Sequence, residues 1–176
     1  QSAGAKGISL VLLDTKNAEG FSRGKPLKKL GLKGNDTAEL FFDNVKIPLT
    51  NLIGNEEGQG FYQMMNQLPW ERLLIGITAL GAIDFALQET IKYVQDRKAF
   101  GKRIMDLQNT RFKLAEAKTK AEVFRSFVNE CIARLIKGKL DAATASMAKY
   151  WGSQIQNEIM DECLQLHGGY GYILDY

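Results

Sequence analysis

The chain has 176 residues, 45% of them hydrophobic, which is enough for one globular domain or slightly more and excludes disorder as the default. Its 23 basic and 20 acidic residues leave a formal charge of +3, too small a surplus to indicate a nucleic-acid partner. The longest apolar runs are much shorter than the roughly 20 residues of a membrane-spanning helix, so we expect no membrane span.

Cysteine and histidine usage narrows the chemistry further. Cys131 and Cys163 lie in helical patterns without CxxC spacing, which predicts core cysteines in a reducing compartment and no disulfide framework or metal site. His167 is the only histidine, which excludes a site that needs two imidazoles. Because the chain opens on Gln1 and ends on Tyr176 within a glycine-aromatic run, we expect it to be a piece of a longer protein.

The first part of the chain is rich in glycine, and its residue pattern is typical of β-strands. Residues 8–13 form a short apolar run that predicts a buried strand. Residues 38–42, the polar pair Asp43-Asn44 and residues 45–48 predict a strand, a turn or bulge, and the end of a strand. These few strands cannot close a sheet alone.

From Gly58 onward the apolar residues follow a helical period. One stripe predicts a helix that runs to about Arg97, with Pro69 in its first turn or at a kink just before it. A second stripe from Leu107 to Leu135 steps by three and four throughout, as a heptad seam does. Gly138 is a natural residue to end this second helix.

A third helix is predicted from Asp141, a good N-cap, to the pair Gly168-Gly169 that stops it. Its inner face is rich in small residues, which let helices approach closely. Three long helices with short connections predict antiparallel packing in a bundle, and a bundle normally has a fourth helix. The expected fold is therefore mainly α, an antiparallel four-helix-bundle-type domain lacking its last helix, preceded by a few strands of a β-barrel domain.

Common catalytic motifs such as G-x-S-x-G, the P-loop and H-E-x-x-H are absent from the sequence. Three clusters stand out instead: PWER at residues 69–72, RKAFGK at residues 97–102 and QLHGGYG at residues 165–171. Together with GLKG at 31–34, FDNV at 42–45 and GQGF at 58–61, their order and spacing resemble the acyl-CoA dehydrogenase family. The resemblance covers essentially the whole chain.

This resemblance implies a fold and an activity. Residues 1–56 would be the later part of the middle β-barrel domain, and residues 57–176 most of the C-terminal helical domain. The family is FAD-dependent and converts an acyl-CoA to a trans-2-enoyl-CoA in fatty-acid β-oxidation, with electron transfer flavoprotein as the usual oxidant. The family also forms homo-oligomers, dimers or tetramers, in which FAD contacts a neighbouring subunit.

Glu71 is the candidate catalytic base. The reaction needs a carboxylate to remove the α-proton while hydride leaves the β-carbon. Most family members place this base beyond the end of the present sequence, whereas the long-chain and isovaleryl branches place it at the position of Glu71. The residues from Glu71 to Ile75 look most like the long-chain branch. The alternative is an acid that complements the dipole of a first helical turn.

The resemblance also assigns substrate-binding residues. Tyr62, Pro69, Trp70 and Arg72 would border the acyl-CoA site. Arg72 has an alternative interpretation as a solvated arginine of the first helical turn.

The predicted FAD contacts fall into two groups along the chain. They are Arg97, Phe100 and Gln108, which in the family reach a neighbouring subunit's FAD, and Gln165, Leu166, His167, Gly168 and Gly169. A guanidinium suits a pyrophosphate, an aromatic ring can lie against flat cofactor groups, and glycines permit close backbone approach. The alternatives are a helix-capping role for Arg97, a C-cap for Gly168 and a structural role for His167.

Three further alternatives remain open from the sequence. The substrate could be a branched short acyl-CoA of the isovaleryl type, the scaffold could serve a flavin oxidase or hydroxylase, and the bundle could be a non-catalytic oligomerisation module. The resemblance favours the dehydrogenase, of which an isolated fragment would be inactive. Low cysteine usage is typical of a bacterial cytoplasm, and the mitochondrial matrix is the expectation for a eukaryotic source.

Overall fold

The computed structural model describes residues 4–54 and 56–175. The chain divides into two compact units, which run from Gln1 to Met65 and from Asn66 to Tyr176. The predicted domain boundary between residues 56 and 57 stays a prediction.

Two short antiparallel strands organise the first unit. Strand β1, Phe21–Arg23, pairs with β2, Leu40–Phe42, so that Phe21 lies opposite Phe42 with ring centroids 5.2 Å apart. Such cross-strand aromatic pairs stabilise a ladder. Two 3-10 helices, Gly4–Gly7 and Leu49–Asn51, complete the described elements of this unit before the long helix begins.

The predicted buried strand at residues 8–13 is wrong. Its backbone forms only one isolated bridge, between Val11 and Leu52, and the Leu12 side chain is 68% exposed. The pairing that it makes is with residues 51–53, through Leu12 N–H to Asn51 O and Ile53 N–H to Leu10 O, each 2.8 Å. Pairing along one edge leaves the apolar side chains uncovered. Residues 45–48 also form no strand.

The second unit is helical, as predicted. Helix α1 is Gly60–Asp96, which begins in the first unit; α2 is Gln108–Ile136 and α3 is Ala142–His167. A small hairpin of β3, Lys98–Ala99, and β4, Lys102–Arg103, joins α1 to a 3-10 helix, Ile104–Asp106, before α2. A last 3-10 helix, Gly168–Tyr172, follows α3.

The predicted helix ends are confirmed, and one predicted start is wrong. The Asp141 side chain accepts a hydrogen bond from the Thr144 backbone N–H at 2.8 Å, and Gly138 has φ +64° just after α2. Pro69, however, lies inside α1 and not at its first turn, because the helix already begins at Gly60.

Side-chain contacts define the directions of the helices. Arg72 of α1 contacts Ser146 near the start of α3, and Tyr93 contacts His167 at its end, so α1 and α3 run parallel. Two ion pairs between α2 and α3 have the opposite order: Lys113 with Glu162 at 2.6 Å and Lys120 with Glu158 at 3.3 Å. Consecutive helices are therefore antiparallel, as the sequence predicted.

The core lies where the three apolar stripes meet. Its largest fully buried side chains are Phe124, Leu73, Ile83, Ile159, Val94 and Val128. Gly152 lets α3 approach α1 and α2 closely, because a Cβ at this position would lie 2.5 Å from Phe124 Cζ and 3.4 Å from the Gly76 Cα. Both cysteines are buried in this core, as predicted.

Helix α1 is long and apolar enough to cross a membrane by length and composition, with a mean hydropathy of 1.4 in its most apolar window. The sequence predicted no such segment. Its inner residues Leu80, Ile83, Leu87 and Val94 pack against α2 and α3, as those of a bundle core helix do.

Candidate functional site

A cavity of about 560 Å³ lies where the ends of α1 and α3 meet in the helical unit. Its lining residues are Tyr93, Arg97, Ile104, Gln165, Leu166, His167, Gly168, Gly169, Tyr170 and Ile173. The chain thus brings Arg97, the predicted FAD contact directly after α1, together with all five that follow one another at the end of α3. In the sequence, 67 residues lie between Arg97 and Gln165, the first of these five.

The turn after α3 depends on glycine. Gly168 adopts φ +61° and ψ −136°, a region that residues with a Cβ rarely occupy, and its N–H donates to Gln165 O. A Cβ added to Gly168 or Gly169 would meet no atom within 4 Å. The space beside both Cα atoms is open, so a ligand can approach the backbone closely here.

Two pairs of side chains connect α1 to this turn. The Tyr93 hydroxyl donates to the backbone oxygen of His167 at 3.1 Å, and the two rings stack with centroids 4.3 Å apart and an interplanar angle of 20°. The Arg97 guanidinium lies over the Tyr170 ring, 4.8 Å from its centroid. Both residues line the cavity, so this cation–π contact keeps the positive charge at the cavity wall.

His167 is held by its own helix as well. Its Nδ1 lies 2.9 Å from the Cys163 backbone oxygen, and because a carbonyl oxygen only accepts, Nδ1 carries the hydrogen. The neighbouring Cys163 is not a nucleophile in this setting, since burial raises the pKa of its thiol. The imidazole is thus fixed in orientation by a stacked ring and a hydrogen bond.

Phe100 and Gln108 lie outside the cavity lining. Phe100 occupies the tip of the β3–β4 hairpin, where it and Gly101 have φ values of +55° and +75°, as in a type I′ turn. A non-glycine residue at positive φ is uncommon, and here it presents a ring that is 90% exposed. Gln108 is the exposed first residue of α2.

Glu71 is an exposed residue well inside α1, eleven positions after its first residue, Gly60. The alternative role as a first-turn acid is therefore wrong, because the dipole effect is confined to the terminal turn. Within residues 4–54 and 56–175, the ion pairs recorded for glutamates involve Glu89, Glu116, Glu122, Glu130, Glu158 and Glu162, and not Glu71.

Three glutamates of α2 differ from Glu71 because each of them pairs with a cation. The Lys120 ammonium lowers the pKa of the Glu116 carboxyl, Lys118 lowers that of Glu122, and Arg134 lowers that of Glu130. A carboxylate held in this way is a weaker base. These three serve the surface of α2, whereas the Glu71 carboxylate carries no such counter-charge in the described chain.

The other predicted substrate residues have distinct surroundings. Arg72 is half-buried and its Nη1 donates to Ser146 Oγ at 3.0 Å, so it is not the solvated first-turn arginine of the alternative interpretation. Pro69 is half-buried and Trp70 is 42% exposed. Tyr62, in the first unit, is 43% exposed and lies edge-on to Phe61 with ring centroids 5.9 Å apart.

Sequence reasoning missed four residues of the cavity: Tyr93, Ile104, Tyr170 and Ile173. Tyr93 precedes Arg97 by four positions and so shares its face of α1, a signal that was present in the sequence. Tyr170 belongs to the QLHGGYG cluster. No group of three or more His, Cys, Asp or Glu side chains that could hold a metal occurs in the part of the chain that the structure describes.

The comparisons with known proteins agree with this geometry. The family described as acyl-CoA dehydrogenase, C-terminal domain, matches residues 58–176. The chain is 49% identical to the mitochondrial long-chain specific acyl-CoA dehydrogenase of Rattus norvegicus over 98% of the chain and 40% of that protein. It is 41% identical to the caffeyl-CoA reductase-Etf complex subunit CarC of Acetobacterium woodii, over 99% of the chain and 46% of that protein.

A solved structure of a relative has a similar fold. The crystal structure of acyl-CoA dehydrogenase from Geobacillus kaustophilus superposes with a TM-score of 0.93 at 43% identity, over 98% of the chain and 45% of that structure. The chain therefore spans less than half the length of the relatives that it matches. With a matched domain, a shared fold and this level of identity, the chain belongs to the acyl-CoA dehydrogenase family.

Proposed function

We propose that the full-length protein containing this chain is an FAD-dependent acyl-CoA dehydrogenase that converts a long-chain acyl-CoA to its trans-2-enoyl-CoA. The observation that supports it most is the cavity that joins Arg97 to the Gln165 to Gly169 turn. A non-catalytic bundle needs no such cavity. The 49% identity to the long-chain enzyme of Rattus norvegicus supports the choice of substrate.

The cavity residues fit a dinucleotide cofactor. The cation of Arg97 suits a pyrophosphate, and the open space beside Gly168 and Gly169 allows the backbone to approach it. Gln165, Leu166 and His167 are proposed to contact the groups of the cofactor next to this pyrophosphate. When bound, FAD supplies the acceptor for the hydride that leaves the β-carbon.

Phe100 and Gln108 are proposed to contact the FAD of a neighbouring subunit, the one that Arg97 also reaches in the family. Both are exposed and both lie outside the cavity of their own chain. A homo-oligomer is part of this proposal. Electron transfer flavoprotein is the proposed oxidant of the reduced enzyme.

Glu71 is proposed to take the α-proton of the substrate. Its carboxylate is exposed and free of the ion pairs that engage the glutamates of α2. A rigid helix also suits a base that must be held at one position relative to a carbon acid. Arg72, Pro69, Trp70 and Tyr62 are proposed to border the thioester, with Arg72 oriented by Ser146.

The test is anaerobic bleaching of the FAD absorbance by palmitoyl-CoA in the full-length protein. Glu71→Gln preserves the shape of the side chain and removes the base, so we expect bleaching to slow by about 100-fold or more. Glu89→Gln is the control, since it makes the same exchange at another glutamate of α1, one that pairs with Lys92, and it should bleach as the wild type does.

Other results would change the proposal in different ways. Equal bleaching in the wild type and Glu71→Gln would move the base to another residue while retaining the dehydrogenase. Faster bleaching by isovaleryl-CoA than by palmitoyl-CoA would indicate the branched-chain activity. An absence of flavin and of acyl-CoA-dependent bleaching in the wild type would refute the proposed function.

A second candidate function is the reverse reaction, reduction of an enoyl-CoA. It is favoured by the 41% identity to a subunit of a caffeyl-CoA reductase-Etf complex. The two directions are distinguished by whether the enzyme accepts electrons from an acyl-CoA or delivers them to an enoyl-CoA. The cellular location is proposed to be the cytoplasm of a bacterium or the mitochondrial matrix, and the rat relative is mitochondrial by name.

A further inference from the structure

Tyr93 contacts both parts of the cavity at once. Its backbone oxygen accepts a hydrogen bond at 2.8 Å from the N–H of Arg97, the residue that directly follows α1. Its hydroxyl donates to the backbone oxygen of His167, and its ring stacks on the imidazole. One half-buried side chain therefore connects the arginine at the end of α1 with the turn at the end of α3.

The contact is made where a helix needs a partner. The last four carbonyl groups of a helix have no partner within the helix, and His167 O is one of them because α3 ends at His167. The Tyr93 hydroxyl satisfies this oxygen. The next two residues are Gly168 and Gly169, which have no side chains with which to anchor the turn. Besides the backbone hydrogen bonds of the 3-10 helix Gly168–Tyr172, contacts from neighbouring side chains therefore fix the direction of this turn.

We propose that Tyr93 is a positioning residue, which acts through His167 to hold the Gln165 to Gly169 turn beside Arg97 in the arrangement that binds FAD. This inference rests on the proposed function. The stacking fixes the imidazole plane, and the hydroxyl fixes the carbonyl at the point where the backbone leaves α3. A pre-arranged turn loses less conformational freedom when the ligand binds, which increases affinity.

The experiment is an FAD titration of the full-length apoprotein, followed by flavin fluorescence, with the melting temperature of each apoprotein measured by circular dichroism. Tyr93→Phe keeps the stacked ring and removes the hydroxyl. We expect its FAD dissociation constant to rise about three- to ten-fold, the effect of one net hydrogen bond. Tyr93→Leu also removes the stacking and should raise the constant further.

Two controls separate positioning from general stability. Tyr150→Phe removes a hydroxyl from a 70% exposed tyrosine of α3 and should leave FAD affinity unchanged. The second control is temperature: the titration is run where the melting curve of apo Tyr93→Phe shows it fully folded, so that weaker FAD binding there reports on the turn and not on unfolding.

The outcomes are distinct. A wild-type dissociation constant in Tyr93→Phe, whatever its melting temperature, would overturn the positioning role and leave the proposed function intact. A wild-type apoprotein that does not bind FAD would overturn the proposed function and this inference together.

Discussion

The buried hydrophobic residues of the described chain all lie in the helical unit, whereas the apolar side chains of the first unit stay at least partly exposed. In the helical unit Phe124, Leu73 and Ile83 are completely buried, whereas in the first unit Leu30, Leu32 and Leu49 are 80% exposed or more. The difference follows from geometry. A helix satisfies its own backbone and needs only another helix to cover its stripe, whereas a strand needs partners along its edges and a layer over its face. The three helices of the helical unit cover one another's stripes. The two short strands of the first unit provide neither partners along every edge nor a layer over each face.

The largest expected effect is the loss of a core side chain in the helical unit. Phe124 is fully buried, packs edge-on against Trp151 at 5.6 Å and faces Gly152. Phe124→Ala should lower the free energy of unfolding by about 3–5 kcal/mol, since it leaves a cavity that close-packed helices cannot fill. Calorimetry of the full-length protein measures it. A loss below about 1 kcal/mol would contradict the close packing inferred here.

A pair of glycines separates stability from binding within the helical unit. Gly138 and Gly168 both have positive φ at the end of a helix, with open space where a Cβ would lie. Alanine at either position should cost about 1–3 kcal/mol through backbone strain. Only Gly168→Ala should also weaken FAD binding, because only Gly168 lines the cavity. FAD titrations and thermal melts of both variants check this, and equal FAD affinity in the two would remove Gly168 from the proposed site.

The sequence predicted the helical unit well because each signal is local. Stripes of period 3.6, the Asp141 cap and the positive-φ glycines each depend on a few neighbouring residues. The early start of α1 was missed because proline favours the first turn of a helix, whereas Pro69 lies inside this one. The strand at residues 8–13 failed because burial of a strand depends on partners elsewhere.

The candidate site shows the same division. The first six residues of the QLHGGYG cluster, Gln165 to Tyr170, are contiguous and line the cavity together, as a resemblance of motifs can predict. The Tyr93 contact with His167 joins residues 74 positions apart, and no spacing rule predicts it. The isolation of Glu71 from ion pairs likewise depends on which cations fold next to α1, which a linear pattern does not contain.

A smaller, pH-dependent effect is expected at the start of α3. Hydrogen bonds from Thr144, through its side chain and its backbone N–H, hold the pKa of Asp141 below its usual value of 3.8. The cap therefore stabilises the fold above the pKa of the unfolded state, about 3.9, and this stability is lost as the pH falls through the lower pKa of the folded state.

The variant Asp141→Asn tests this dependence, because asparagine can still cap the helix but cannot titrate. Between pH 6 and pH 3 the wild type should lose more melting temperature than Asp141→Asn does. Asp161→Asn makes the same exchange on the same helix away from its N-terminus, and its pH dependence should follow the wild type. Identical curves for wild type and Asp141→Asn would exclude the cap as a source of acid sensitivity.

The smallest expected effect tests the first unit directly. Leu30 is 102% exposed, so Leu30→Ala removes no packed contact, and the free energy of unfolding of the 176-residue chain should change by less than about 0.5 kcal/mol. Denaturant titration of the chain and its variant measures the difference. A loss above about 1 kcal/mol would mean that Leu30 is covered in solution, and the contrast between an open first unit and a packed helical unit would no longer hold. Agreement would leave Leu30 as an exposed apolar side chain of the first unit, in contrast to the helical unit, whose apolar stripes cover one another.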